Sequence, residues 1–428
     1  MEEVGMRQLG LLILVLLLIV PVVSNAGGVS SRYDVTFGGY VKYDLGWSSQ
    51  NTHTDAPYAC RSSTSDRSVF ADEYSNTFAS SGETRFNFLV KGPDLWGAKT
   101  TAFIEGDFRG TNSGNQYGGF QLRHAYMKLK WSAAELLIGQ AWQQWGMLYY
   151  PASVGFMDGT MWLKGIRTPQ IAYRYFFTKE FNAMVGIMSP TNSMGAVRQY
   201  NDGYARSNWP GFQGEIAYWS DRCGKIGPHN LKFALGGYFG KDKEEYVDPA
   251  NAANYKDDTI NTWMTALRYS IPIVPEKKGN KAMSVLLNGN FFVGQNSAGN
   301  GWLATASAGH YDRPDNSVTA PTLFGLWAQA TWWLTDAVQF NGMYGYLKYN
   351  YSQWARSNNA AARDKINMIQ QYGANLLWDA NQNIRLGIEW MRDFTGYNGV
   401  GAGTGTGAGY ASRTGNIDQY RIGVWYFF

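Results

Sequence analysis

The sequence predicts an all-β chain: a transmembrane antiparallel β-barrel of about 16 strands, with long outer loops and short periplasmic turns. Three observations carry that prediction. Segments of roughly 9–13 residues that alternate apolar and polar side chains recur along the chain, the pattern of a strand between oil and water. The gaps between them alternate long and short. The chain also ends on "RIGVWYFF", where Tyr420, Ile422, Val424, Tyr426 and Phe428 share one face and Gln419, Arg421, Gly423, Trp425 and Phe427 the other.

The first 26 residues stand apart from that pattern. Arg7 is followed by an apolar run from Leu9 to about Val20, then Pro21 and small residues at Ser24 and Ala26. This is the layout of a secretory signal peptide cleaved after Ala26. An uncleaved anchor is the rival reading, but the apolar run falls short of the ~20 residues a spanning helix needs. The division expected is signal peptide 1–26 and barrel 27–428, exported to the outer membrane of a Gram-negative cell.

The strands expected are 35–48, 83–91, 97–109, 119–131, 134–142, 169–178, 180–189, 212–220, 230–241, 259–271, 282–293, 322–334, 337–349, 366–379, 383–394 and 417–428. The first has Val35, Phe37, Val41, Tyr43, Leu45 and Trp47 on one side and Thr36, Tyr40, Lys42 and Asp44 on the other. In the sixth, Ile171, Tyr173, Tyr175 and Phe177 oppose Gln170 and Arg174. In the fifteenth, Ile384, Leu386, Ile388 and Trp390 oppose Arg385 and Glu389. A one-residue slip would turn every charge into lipid, so register is strongly specified. An unpaired strand edge is untenable in hydrocarbon, so the first strand must pair with the last.

Long gaps follow the odd strands: 49–82, 110–118, 143–168, 190–211, 242–258, 294–321, 350–365 and 395–416. The even strands are followed mostly by short ones, including 221–229 and 272–281. Cys60 then lies in an outer loop and Cys223 in a periplasmic turn. A disulfide needs its Cα atoms within about 7 Å, so no Cys60–Cys223 bond is expected across a slab about 30 Å thick.

Catalytic and cofactor chemistry find no footing. No haem-attachment CxxCH, HExxH or P-loop spelling is present, and no serine–histidine–acid set can be placed. "GAGTGTGAG", Gly401 to Gly409, lacks the strand and helix a dinucleotide fingerprint requires. His53, Asp55 and Cys60 share one loop, for which a solvated polar loop is the favoured reading over a metal site. "QQYGANLLWDANQN" is strand text without evident chemistry. A net charge of +4 with no basic block gives no support for nucleic-acid binding. The chain is expected to be no enzyme and to hold no cofactor or metal.

The inward parity collects Lys42, Arg85, Lys99, Arg109, Arg123, Arg174, Lys232, Arg268, Arg385 and Arg421 against Asp44, Glu83, Glu105, Asp107, Glu215, Glu389 and Asp393. One reading is structural ion pairs, with Arg109 serving Asp107 and Glu105, and Arg385 serving Glu389. The other is an electropositive wall, since guanidinium forks suit carboxylates and basic rings select anions in pores. Residues 143–168, "QQWGMLYYPASVGFMDGTMWLKGIRT", form an aromatic-rich outer loop that needs something to pack on. Folding into the lumen would make it a constriction, presenting Tyr150, Asp158 and Lys164; lying on a neighbouring subunit is the alternative.

"FGGYVKYD" (Phe37 to Asp44), "IEGDFRG" (Ile104 to Gly110), "LRHAYMKL" (Leu122 to Leu129), "IGQAWQQW" (Ile138 to Trp145) and "RTPQIAYRY" (Arg167 to Tyr175) resemble the DcaP-like outer-membrane porins. The resemblance is confined to the N-terminal part of the chain. It implies a homotrimer and a channel for small anions, dicarboxylates among them, with Arg123, Arg167, Gln170 and Arg174 lining the pore near its constriction. The N-terminal coiled-coil segment common in that family has no counterpart between the expected cleavage site and the first strand. Resemblance also gives the closing Tyr426 and Phe428 the role of an assembly signal.

The function expected is a passive porin in bilayer and lipopolysaccharide, biased to anions. The alternatives are a barrel sheath for a partner chain, such as an electron-carrying cytochrome, and a secreted soluble β-protein.

Overall fold

A computed structural model describes residues 33–50, 75–110, 118–145, 151–155, 165–189, 207–247, 255–296, 311–312, 318–353, 356, 365–399 and 413–428. The strands in chain order are β1 (Asp34–Ser48), β2 (Asn76–Ser80), β3 (Arg85–Lys91), β4 (Lys99–Gly110), β5 (Gly119–Lys130), β6 (Ala134–Trp142), β7 (Arg167–Phe176), β8 (Phe181–Met188), β9 (Gly211–Ile226) and β10 (His229–Val247). They continue as β11 (Tyr255–Val274), β12 (Val285–Gln295), β13 (Tyr311–Asp312), β14 (Val318–Thr319), β15 (Thr322–Trp333), β16 (Val338–Asn350), β17 (Ile366–Asp379), β18 (Ile384–Tyr397) and β19 (Thr414–Phe427).

All but the β13–β14 hairpin join one antiparallel sheet of 17 segments. β2 and β3 pair with opposite halves of β1 and share one position in the wall, which leaves 16 positions. Closure is direct. β1 pairs with β19 from Tyr40↔Phe427 to Ser48↔Gln419. Gly39 and Phe428 then exchange two backbone hydrogen bonds of 3.1 Å, so the terminal residue is part of the seam. Closure removes every free edge, which hydrocarbon requires.

The two faces separate as the alternation dictates. Val41, Tyr43, Leu45 and Trp47 are exposed on the outside while Lys42 and Asp44 are buried inside. Ile171, Ile388 and Ile422 face out, and Gln170, Glu389 and Arg421 face in. An apolar exterior around a closed barrel is the arrangement a bilayer imposes.

Short turns at one end carry a repeated local device. Thr178 Oγ1 accepts hydrogen bonds from the amides of Glu180 and Phe181, Thr335 Oγ1 from Ala337 and Val338, and Asn381 Oδ1 from Asn383 and Ile384. A short polar side chain that satisfies its own turn reverses the strand without help from the core.

Three expectations change. β9 and β10 meet at a tight turn, so the gap placed at 221–229 is mostly strand, and Cys223 sits within β9, exposed and free of any disulfide. β11 runs on to Val274. β2 lies inside the first long gap, and the break between β2 and β3 turns Glu83 into the lumen. Cys60, His53 and Gly401 to Gly409 lie outside the described residues.

Candidate functional site: a loop docked inside the barrel

The chain leaves β6 and turns inward on a set of glutamines. Gln170 Nε2 donates to the carbonyls of Ala141 and Trp142, and its Oε1 accepts from Gln213 Nε2 at 2.7 Å. Gln213 Oε1 accepts the Gln144 amide at 2.9 Å. The Gln143 amide donates to the Ile166 carbonyl, and Gln143 Oε1 accepts the Ile166 amide, which pinches the two ends of the loop together. Gly165 stands beside that side chain with φ 71°, a backbone state that glycine adopts without strain.

Trp145 is fully buried in one cluster with Met264, Phe292, Leu323 and Trp327, all inward residues of β11, β12 and β15. The Arg268 guanidinium lies 5.6 Å from its ring centre. Residues 151–155 then reach strands far from the loop's origin. Ala152 is gripped through both backbone groups by Gln329 of β15, at 2.9 and 2.8 Å, and its carbonyl also accepts from Asn375 of β17. Glu389 of β18 accepts the amides of Val154 and Gly155 at 2.8 and 3.0 Å. Lys42 Nζ of β1 donates to the Val154 carbonyl at 2.8 Å. The middle of the loop is thus hydrogen-bonded to the inner wall. Val154 itself is fully buried against Leu377 and Trp425.

The inward charges are organised as alternating acids and bases. Lys42 joins Asp44 and Glu83 while Arg109 takes the other oxygen of Glu83. Arg123 bridges Glu105 and Asp107, both at 2.6 Å, and Arg85 stands 4.0 Å from Asp107. Arg174 and Arg268 share Glu215, and Arg174 also donates to Asn182. Arg385 makes a bidentate pair with Asp379. The ion-pair reading therefore describes these groups, with different partners: Glu83 takes Arg109, Arg123 takes Glu105 and Asp107, and Asp379 takes Arg385, which leaves Glu389 to hold the loop.

The positions expected to line a pore fall into distinct settings. Lys42 and Arg268 face inward but are enclosed, 0% and 1% exposed. Gln170 is a hinge support for the loop. Arg167 lies over the Trp142 ring, and Arg421 over Phe78 and against Gly155. Lys99 sits at the rim with Asp94, and both are exposed. Tyr150, Asp158 and Lys164 lie outside the described residues. Tyr426 and Phe428 are exposed on the outer face of the seam. The loop's anchors Gln329 and Asn375 went unnoticed in the sequence. Their only signal was an amide at an inward position.

Beneath the docked segment lies a cavity of about 430 Å³, with Ser153 in its roof and Tyr40, Arg85, Trp333, Arg385 and Trp425 among its walls. No group of three or more metal-ligating side chains occurs among the described residues.

A closed barrel with an apolar outside, a polar inside and short turns at one end defines an outer-membrane β-barrel. Its fold is similar to that of the outer-membrane channel DcaP of Acinetobacter baumannii, with a TM-score of 0.61 and 17% identity over 92% of this chain and 97% of that one. It is also similar to the trimer form of OmpT, an outer-membrane protein of Vibrio cholerae (TM-score 0.54, 11% identity, 93% and 100% covered), and to OprB of Pseudomonas putida (0.53, 12%, 92% and 94%). At these identities the likeness is one of fold. No protein-family model and no curated protein matches the sequence.

Proposed function

We propose that the protein is a passive channel for small hydrophilic solutes, with residues 151–155 narrowing its lumen. The observation that carries this reading is the loop bonded to the inner wall through Lys42, Gln329, Asn375 and Glu389. A segment so held reduces the cross-section, and the cavity beneath it has the size of a small-molecule site. A sheath for a partner chain needs the lumen this segment occupies. Two of the fold neighbours, DcaP and OmpT, are outer-membrane proteins, the first a channel and the second with a trimer form, which supports a homotrimeric porin as the finer reading.

A bias to anions, dicarboxylates included, belongs to the same proposal and rests on the inward cations. Reversal potentials in a planar bilayer under a salt gradient test it. Anion preference is expected, and Arg123→Gln is expected to shift it towards cations, because Glu105 and Asp107 lose their partner. Cation preference in the unaltered protein would remove the anion claim. Failure to conduct at all would remove the channel.

Two further parts of the proposal concern the ends of the chain. Residues 1–26 act as the export signal, and Tyr426 with Phe428 as the assembly signal. Deletion of Phe428 is expected to leave unassembled protein in the periplasm, measured by fractionation.

A further inference from the structure

Gly387 of β18 and Gly423 of β19 are direct cross-strand partners on the inner face. Neither has a left-handed backbone, so conformational freedom does not explain them. Space does. A Cβ built on Gly387 would stand 2.6 Å from Leu377 Cδ2 and 2.8 Å from Val154 Cγ2, and one built on Gly423 would stand 2.7 Å from both Trp425 Cη2 and Val154 Cγ1. Each distance is closer than carbon atoms approach without displacement. The two missing side chains leave a hollow in the wall, flanked by Leu377 and Trp425, and the two methyl groups of Val154 fill it. The bonds from Lys42 and Glu389 to the backbone of Val154 and Gly155 hold that side chain in place from either side.

We propose that this glycine pair is a socket for Val154, and that seating of this one side chain sets the clear width of the channel and so the size limit of its solutes. The inference rests on the channel reading. Backbone polarity brings the segment to the wall, and the bonds from Gln329, Asn375 and Glu389 form only at an approach that the wall beneath Val154 has room for. The depth of the socket supplies that room. Filling the socket or enlarging the knob pushes residues 152–155 off the wall and towards the channel axis.

The test is single-channel conductance in planar bilayers, together with liposome swelling in neutral sugars of graded size, on the full-length protein. Val154→Phe and Gly387→Ala are each expected to lower conductance roughly twofold and to exclude the larger sugars, as a narrowed pore requires. Val154→Ala combined with Gly387→Ala is expected to recover part of what Gly387→Ala loses in both readouts, because the smaller knob makes room on the loop side while Leu377 still has to give way. Val154 belongs to the loop, so its substitution leaves the barrel strands intact; folding is checked by heat-dependent gel mobility. If the parent conducts and Val154→Phe shows the same conductance and size limit, the socket does not set the width and the inference is overturned. If the parent conducts nothing, the channel reading falls and takes the inference with it.

Discussion

The inner faces of β1–β5 and of β11–β17 point into the same lumen, yet they are built from different chemistry. On the first, Lys42, Asp44, Glu83, Glu105, Asp107, Arg109 and Arg123 brace one another through charge. The second carries a belt of hydroxyl and amide side chains that ends on the Glu389 carboxylate of β18. Thr331 donates to Asn341, Asn341 to Asn375, and Asn375 to Glu389. Beside that belt Met264, Phe292, Leu323, Trp327, Leu347 and Ile369 form an apolar bed that receives Trp145. The difference has a physical reason. An inward loop needs partners for its own backbone and somewhere to bury its apolar side chains. Side-chain amides and the Glu389 carboxylate serve the loop's backbone, and an apolar wall serves tryptophan, while charges already engaged with one another have less left to offer either. The loop accordingly takes most of its anchors from β15–β18 and reaches the charged side through Lys42 alone among the contacts described above.

Substitutions on the two walls should therefore fail in different ways. The largest effect is expected from Lys42→Ala. It takes the lysine partner from the buried carboxylates Asp44 and Glu83, leaving Glu83 with Arg109, and releases the Val154 carbonyl, a loss of about 3–5 kcal/mol. The measurement is the temperature at which the folded barrel loses its compact gel mobility, and an unchanged value would mean that the charged wall is not braced by its pairs. Leu347→Ala comes next. Leu347 is completely buried in the apolar bed, and truncation should cost about 2–3 kcal/mol by the same assay, with no change in ion selectivity.

Asn375→Ala is expected to be milder for the barrel, about 1–2 kcal/mol, because three side-chain bonds are lost but no charged group loses an ion-pair partner. Its signature is in the loop: noisier single-channel current, since Ala152 keeps only Gln329. Lys99→Gln should be silent in stability and in reversal potential. Its ion pair with Asp94 is largely exposed, and exposed pairs contribute little. A measurable shift there would place charge selection at the rim and dissolve the contrast between the two walls.

Much of this architecture was legible beforehand, and the reason is solvent. Lipid outside and water inside make each strand's alternation nearly obligatory, so Ile171 against Gln170 or Ile422 against Arg421 could be assigned from period two alone. The same logic required β1 to meet β19. Side-chain pairing inside the lumen was not legible in that way. Parity says that Arg123 and Arg385 face inward, but which carboxylate each one meets depends on cross-strand register. A bulge in β5 beside Arg123, the break that turns Glu83 inward and the β17–β18 register that sets Arg385 opposite Asp379 decide it. Asn375 lay in a stretch without evident chemistry because an amide acquires its role only when a backbone arrives beside it.

Alternation, composition and the aromatic last strand were enough by themselves to determine a closed membrane barrel, its strand faces and its seam. Those properties follow from local periodicity and from the intolerance of hydrocarbon for unpaired backbone. The docking of residues 151–155, the partners of Lys42 and Glu389, and the hollow between Gly387 and Gly423 were decided by the tertiary structure. The contacts that Val154 makes with Lys42 and Glu389 bring atoms together across 112 and 235 positions of chain, and no local pattern records that approach.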